Sequence, residues 1–285
     1  MFAAAFMVLG LTCCGIKVKT STDYLVSGNE YFKAGDYTRA EGEYREALKL
    51  DANSATATSN LGVILNELGR YDDAIATLKK AEELDPKNIV AHYVLANALT
   101  KKGAFEEAVT QATIARSLDP NEPAACRALA DAAMAKGDAA TAVEASNEAI
   151  KLEPDNDSHH FRLGQALALT GDLESAQKEE LKAIELNPAG VDAHLALAQL
   201  LEKAGKHEQA IDEVKKVLAG NSDNEDAKQM LAALTSGKAD GRAQLSESPG
   251  HAQALDKVEA SRTSPRKSDS VGRQSAASSP ASQAH

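Results

Sequence analysis

Three histidines, His92, His160 and His194, are the side chains best suited to chemistry, and they stand 68 and 34 residues apart. Imidazoles can ligate a metal or pass a proton, but only where they converge on one point. Those spacings are one and two turns of a 34-residue period, so each ring sits near the start of a helix in a different unit. They cannot meet on one metal, and packing or capping is their expected role. His159 and His160 are neighbours in sequence and point in different directions on a helix. Of the three cysteines, Cys13 and Cys14 are adjacent, where a bridge is strained, and Cys126 stands alone inside a helix as a small buried thiol. The spacing fits neither a disulfide framework nor a zinc site. Nor is there a phosphate loop, a nucleophile elbow, an HExxH helix or a paired-cysteine motif. No catalytic residue, metal or cofactor is expected, and the chain reads as a non-enzyme.

Charge narrows the partners. The net charge is −11 over 285 residues, and residues 21–237 alone carry −15. Phosphate backbones need a basic face, so this acidic body excludes nucleic acid as the expected partner. The composition is rich in Ala, Leu, Glu and Lys and has no Trp, which suits closely packed helices.

What positions these residues is a repeat. LGVILNELGRYDDAIATLKKAEELDP at 61–86 returns as LGQALALTGDLESAQKEELKAIELNP at 163–188, an offset of three times 34. Six gapless units follow: 21–54, 55–88, 89–122, 123–156, 157–190 and 191–224. A fixed period of this length predicts helix hairpins stacked into a solenoid that buries its apolar area between neighbours. The fifteenth place is Gly in all six (Gly35, Gly69, Gly103, Gly137, Gly171, Gly205), suited to ending the first helix with positive φ. Asp36, Asp138 and Asp172 follow as caps of the second helix, and Pro86, Pro120, Pro154 and Pro188 stop it. The eighth and twentieth places hold only Gly or Ala, which lets the two helices approach. Unit four is thin, with Ala133, Ala139 and Ser146 at bulky places, and is expected to bury less apolar area and to bend most readily. Residues 225–237 predict a capping helix, and 238–285, rich in Ser, Gly, Pro and Gln, a disordered tail.

The pattern resembles the tetratricopeptide repeat family over 204 of 285 residues. The resemblance implies an all-α, right-handed solenoid whose first helices line a concave groove through places two, five, nine, twelve and thirteen. The fifth place reads Leu25, Ser59, Tyr93, Arg127, Phe161, Leu195, and the ninth Asn29, Val63, Asn97, Asp131, Gln165, Gln199. These places are four residues apart and share a helix face. Amides both donate and accept, so Asn29, Asn97, Gln165 and Gln199 suit the backbone of an extended peptide, with Tyr93 and Phe161 as anchors. Arg127 lies between the rings and favours an acidic partner residue unless Asp131 occupies it. The groove charges balance: Lys33, Lys101, Arg127 and Lys203 against Glu67, Asp131, Asp192 and Glu202. Chaperone-binding members pair Lys with Asn at these places. Here the pairs are Leu25/Asn29 and Tyr93/Asn97, so a C-terminal carboxylate is not the expected ligand.

The start, MFAAAFMVLGLTCCGIKVKT, has an apolar run too short to span a bilayer and reads as a leader over 1–14 with a linker at 15–20. Leu11-Thr12-Cys13-Cys14 resembles a bacterial lipobox, which implies lipid attachment at Cys14 and anchorage on the periplasmic or cell-surface side. Cys13 departs from the usual small residue, and no basic residue precedes the run. A leader without lipid and a cytoplasmic protein remain alternatives. The expected function is a protein-interaction scaffold, similar to repeat-containing bacterial lipoproteins that act as envelope assembly or secretion adaptors. The alternatives are a soluble cytoplasmic scaffold and the regulatory part of an enzyme system.

Overall fold

A computed structural model describes residues 19–236. The leader, Cys14 and the tail from 238 onward lie outside the described residues. Among those described there are thirteen helices and no strand. They pair as α1 (Ser21–Lys33) with α2 (Tyr37–Leu50), α3 (Ala55–Glu67) with α4 (Tyr71–Leu84), and α5 (Ile89–Lys101) with α6 (Phe105–Leu118). The series continues with α7 (Pro123–Lys136) and α8 (Ala139–Leu152), α9 (Asp157–Thr170) and α10 (Leu173–Leu186), and α11 (Val191–Lys203) and α12 (His207–Gly220). A last helix, α13 (Glu225–Thr235), packs on α12. Each helix packs on the next, and the first helices of neighbouring units from α3 to α11 also touch directly. No helix among the described residues is long and apolar enough to cross a membrane.

Local signals set the hairpins. All six turn glycines have positive φ, from 73° to 88°, a region that side chains with a Cβ rarely enter. Asp36, Asp138 and Asp172 accept hydrogen bonds from the N–H groups of Arg39, Thr141 and Ser175, as expected of caps. Arg70, Ala104 and Lys206 hold the same place elsewhere and make no such bond. The last place of most units caps the next first helix: Ser54, Asn88, Glu122, Asn156 and Asn224 each accept a backbone N–H.

The hairpin seam follows a rule of matched volume. The eighth place of the first helix faces the twenty-fourth place, on the second. An added Cβ would stand 2.5 Å from the Tyr44 ring at Gly28, 2.5 Å from Leu78 at Gly62 and 2.5 Å from the Glu180 carboxyl at Gly164. Where the second-helix residue is small, as with Ala112 and Ser146, the first helix carries Ala96 and Ala130 instead.

The core is continuous from Ala40 and Tyr44 in unit one through Ala108 in unit three to Ala132 on α7, and a second cluster ties unit six to α13. Between them it divides into two small patches around Leu129 and Met134. Unit four is thin in side-chain volume as expected, yet it is not loosely covered. Ala125, Ala128, Ala130, Ala132 and Ala133 are all fully buried, and small residues let α7 lie directly against α5. At the N-terminal end α1 presents Asp23, Ser27 and Glu30 where α3 presents the buried Ala57, Leu61 and Ile64, so that end face is polar.

Candidate functional site: the strip along the first helices

The fifth and ninth places form a strip along α1, α3, α5, α7, α9 and α11. Its apolar members divide between core and surface. Leu25 and Leu195 pack on the clusters at their ends of the array, and Ser59 is buried. Tyr93 packs against two clusters at once, so it belongs partly to the seam and does not simply point away from it. Burial pushes its phenol pKa up, Glu122 adds to that, and the Arg127 cation opposes it. Phe161 is half-buried on α9.

The polar row is partly committed to the array. Asn29 Oδ1 accepts from the Tyr44 hydroxyl at 2.7 Å and from Asn60 Nδ2 at 3.0 Å, so its carbonyl is held for internal use. Asn97 is half-buried and Gln199 exposed, while Gln165 is already engaged in the structure. Asp131 is claimed from the next unit: Arg162 Nε donates to it at 2.7 Å, and Arg162 also donates to Ser158 O at 3.2 Å. Arg127 is therefore left without an ion pair among the described residues, as are Lys33, Lys101 and Lys203. Of the strip's carboxylates, Glu202 is taken as well, by His207 at 2.5 Å. Charges that cancel by residue type thus leave mostly cations unclaimed.

Arg162 is the residue missed from the sequence. It occupies the sixth place, which faces the ninth place of the preceding unit. Asn60 does the same toward Asn29, while Val94 and Ala128 are buried at that place. A long cationic side chain at a place that is apolar in four of the six units (Val26, Val94, Ala128, Ala196) was the available signal.

The histidines bridge units. His92 Nε2 lies 2.9 Å from the Pro86 carbonyl and Nδ1 2.7 Å from Gln111 Oε1. His160 repeats this with Pro154 at 3.0 Å and Glu179 at 2.8 Å, and His194 with Pro188 at 3.2 Å and Glu213 at 2.7 Å. Each ring thus joins the end of one unit to the second helix of the next. His159 meets Glu153 at 2.8 Å, and this bond, with one from Asn156, holds the Glu153 carboxyl below the usual carboxylate range. No group of three metal-binding side chains occurs among the described residues.

A one-dimensional stack of helix hairpins that lines up a strip of side chains defines a helical-repeat protein, a class that offers surfaces to partners. Two models of the tetratricopeptide repeat match the sequence, one over 25–89 and 127–185, the other over 65–132 and 181–234. The chain belongs to the tetratricopeptide repeat family, whose members are generally non-catalytic scaffolds.

Solved structures agree on the fold. PilW, described as a type IV pilus biogenesis factor, superposes with a TM-score of 0.68 at 18% identity, covering 74% of this chain and 98% of its own. YrrB, described as a repeat protein with an unusual peptide-binding site, gives 0.51 at 20% identity, covering 65% and 95%. The Cut9–Hcn1 complex gives 0.67 at 18% identity over 75% of this chain, which spans only 43% of the matched chain. No curated protein matches by sequence.

Proposed function

We propose that this protein is a non-catalytic adaptor that binds an extended protein segment along the first-helix strip and is tethered outside the cytoplasm by lipid on Cys14. The observation that carries the binding reading is Arg127. Asp131, one turn along the same helix, is held by Arg162, so Arg127 makes no ion pair among the described residues, although its charge is felt at the Glu153 carboxyl. Its place on α7 falls between those of Tyr93 on α5 and Phe161 on α9. An acidic side chain midway along the segment would pair with it. Apolar side chains on either side would meet the rings, and Asn97 and Gln199 would serve the segment's backbone. Two proteins with the same fold, one described as a pilus biogenesis factor and one as having a peptide-binding site, are in keeping with this reading.

Phe161→Ala is expected to weaken capture of native partners by about 1–2 kcal/mol, as truncated aromatic anchors do, with unchanged helical circular dichroism. Arg127→Gln should weaken it too and reduce its dependence on salt. Tyr93→Ala is a poorer probe, because this ring also fills the seam and its loss will lower stability. Full capture by the Phe161/Arg127 double variant would place binding on another surface.

The tether has its own test. Cys14→Ser should move the protein from the membrane to the soluble fraction, and the mature chain should begin at an acylated Cys14. Myristoyl-length chains bind membranes only marginally when single, so multiple acylation is expected for a stable hold. A natural chain with Met1 intact would favour the soluble scaffold instead.

A further inference from the structure

Glu180 stands on α10 at the place that Tyr44 and Leu78 fill in the first two units, and its side chain is 1% exposed. Neither carboxyl oxygen has a hydrogen-bond partner among the described residues. The carboxyl rests on Gly164 of α9, where even a methyl group would come 2.5 Å from Oε1. The charges that act on it are negative: Glu179 on its own helix and Asp192 in the first turn of α11. The histidines and the arginine on the flanking helices are engaged elsewhere, His159, His160 and Arg162 of α9 with Glu153, Glu179 and Asp131, and His194 of α11 with Glu213. The neighbouring lysines pair outward, Lys178 with Glu174 at 3.3 Å and Lys182 with Glu185 at 3.0 Å.

A carboxylate in such a seam is shut off from solvent and faces no counter-ion among the described residues, so the group is carried as the neutral acid. Burial first, then Glu179 and Asp192, push its pKa up to about 9. The helix beneath it also carries strip residues, with Phe161 three positions before Gly164 and Gln165 one after. We infer that the proton on Glu180 gates the strip: with it α9 seats on α10, and its loss drives the helices apart at Gly164 and displaces Phe161 and Gln165. The regulatory meaning rests on the strip being the binding surface; the response of the seam does not.

The direction follows from linkage. Unfolded, the side chain titrates near 4.5, and folded near 9, so the folded unit holds one more proton between those values. The stability of unit five is full below the lower value and falls as pH rises through the interval. Its opening constant should grow about tenfold per pH unit until the folded pKa is passed.

Hydrogen exchange of the full chain, corrected for base catalysis and read from pH 5.5 to 8.5, tests the seam. Opening of residues 157–186 should rise steeply in the wild type and stay flat in Glu180→Gln and in Glu180→Leu, which restores the side chain of unit two. Units one and two should show no such slope in any of the three. The gate is read from the fluorine resonance of fluorophenylalanine at position 161, which should move over the same pH range in the wild type and not in Glu180→Gln. A flat wild-type opening constant, or a Phe161 resonance blind to pH, overturns the inference, whether or not Phe161 takes part in capture. Loss of the strip reading would show instead as capture indifferent to Phe161→Ala, with the exchange slope still present.

Discussion

Leu78→Ala is expected to lower stability by about 2–5 kcal/mol, and Gly62→Ala by about 1–3 kcal/mol, yet the two together should cost clearly less than their sum. Leu78 is fully buried in the large cluster, and its branched end lies where a Gly62 side chain would have to go. Truncating the leucine alone leaves a cavity beside a glycine that cannot fill it. Adding a methyl at Gly62 alone drives it against Leu78 at 2.5 Å. The double variant reproduces the pair that unit three already uses, Ala96 over Ala112, both of them fully buried. Urea midpoints of the four chains form the cycle, and additive losses would refute matched volume as the rule of the seam.

His194→Phe is expected to cost about 1–3 kcal/mol, the penalty for leaving buried polar groups without partners. The planar ring is kept, though a phenyl is somewhat larger than an imidazole, so mild overpacking falls within the same range. What disappears is the link between the Pro188 carbonyl at the end of unit five and Glu213 on the second helix of unit six. The Glu213 carboxylate keeps Lys216 at 2.6 Å, which limits the loss, but the Pro188 carbonyl does not regain its donor. The damage should be local: exchange should quicken in α11 to α13, while α1 to α6 keep their protection, because each unit contacts only its neighbours. Uniform acceleration along the chain, or none, would show that these rings do not hold the joints.

The repeat itself was legible in the sequence to the level of single residues. A glycine every 34 residues can be read as a turn because positive φ is a property of one residue, independent of what packs around it. Asp36, Asp138 and Asp172 could be read as caps for the same reason, since a cap acts on a backbone N–H three residues away. Period and helix face follow from geometry within one chain segment, so the six hairpins, the small residues between them and the closing helix needed nothing more. The candidate site was legible only as a row of places. Whether Arg127 or Arg162 would take Asp131 turns on which long side chain reaches across a gap between units, and that gap is set by stacking. Tyr93 looked like a free anchor, but the depth of the seam beside it draws the ring partly inside. Asn29 looked like an open amide, but Tyr44 approaches closely only because Gly28 has no side chain. Glu180 reads in sequence as one more surface charge on an acidic helix. Its burial arises from the approach of α9 at Gly164 and the stacking of α11, because desolvation depends on how closely packed neighbours exclude water from the carboxyl.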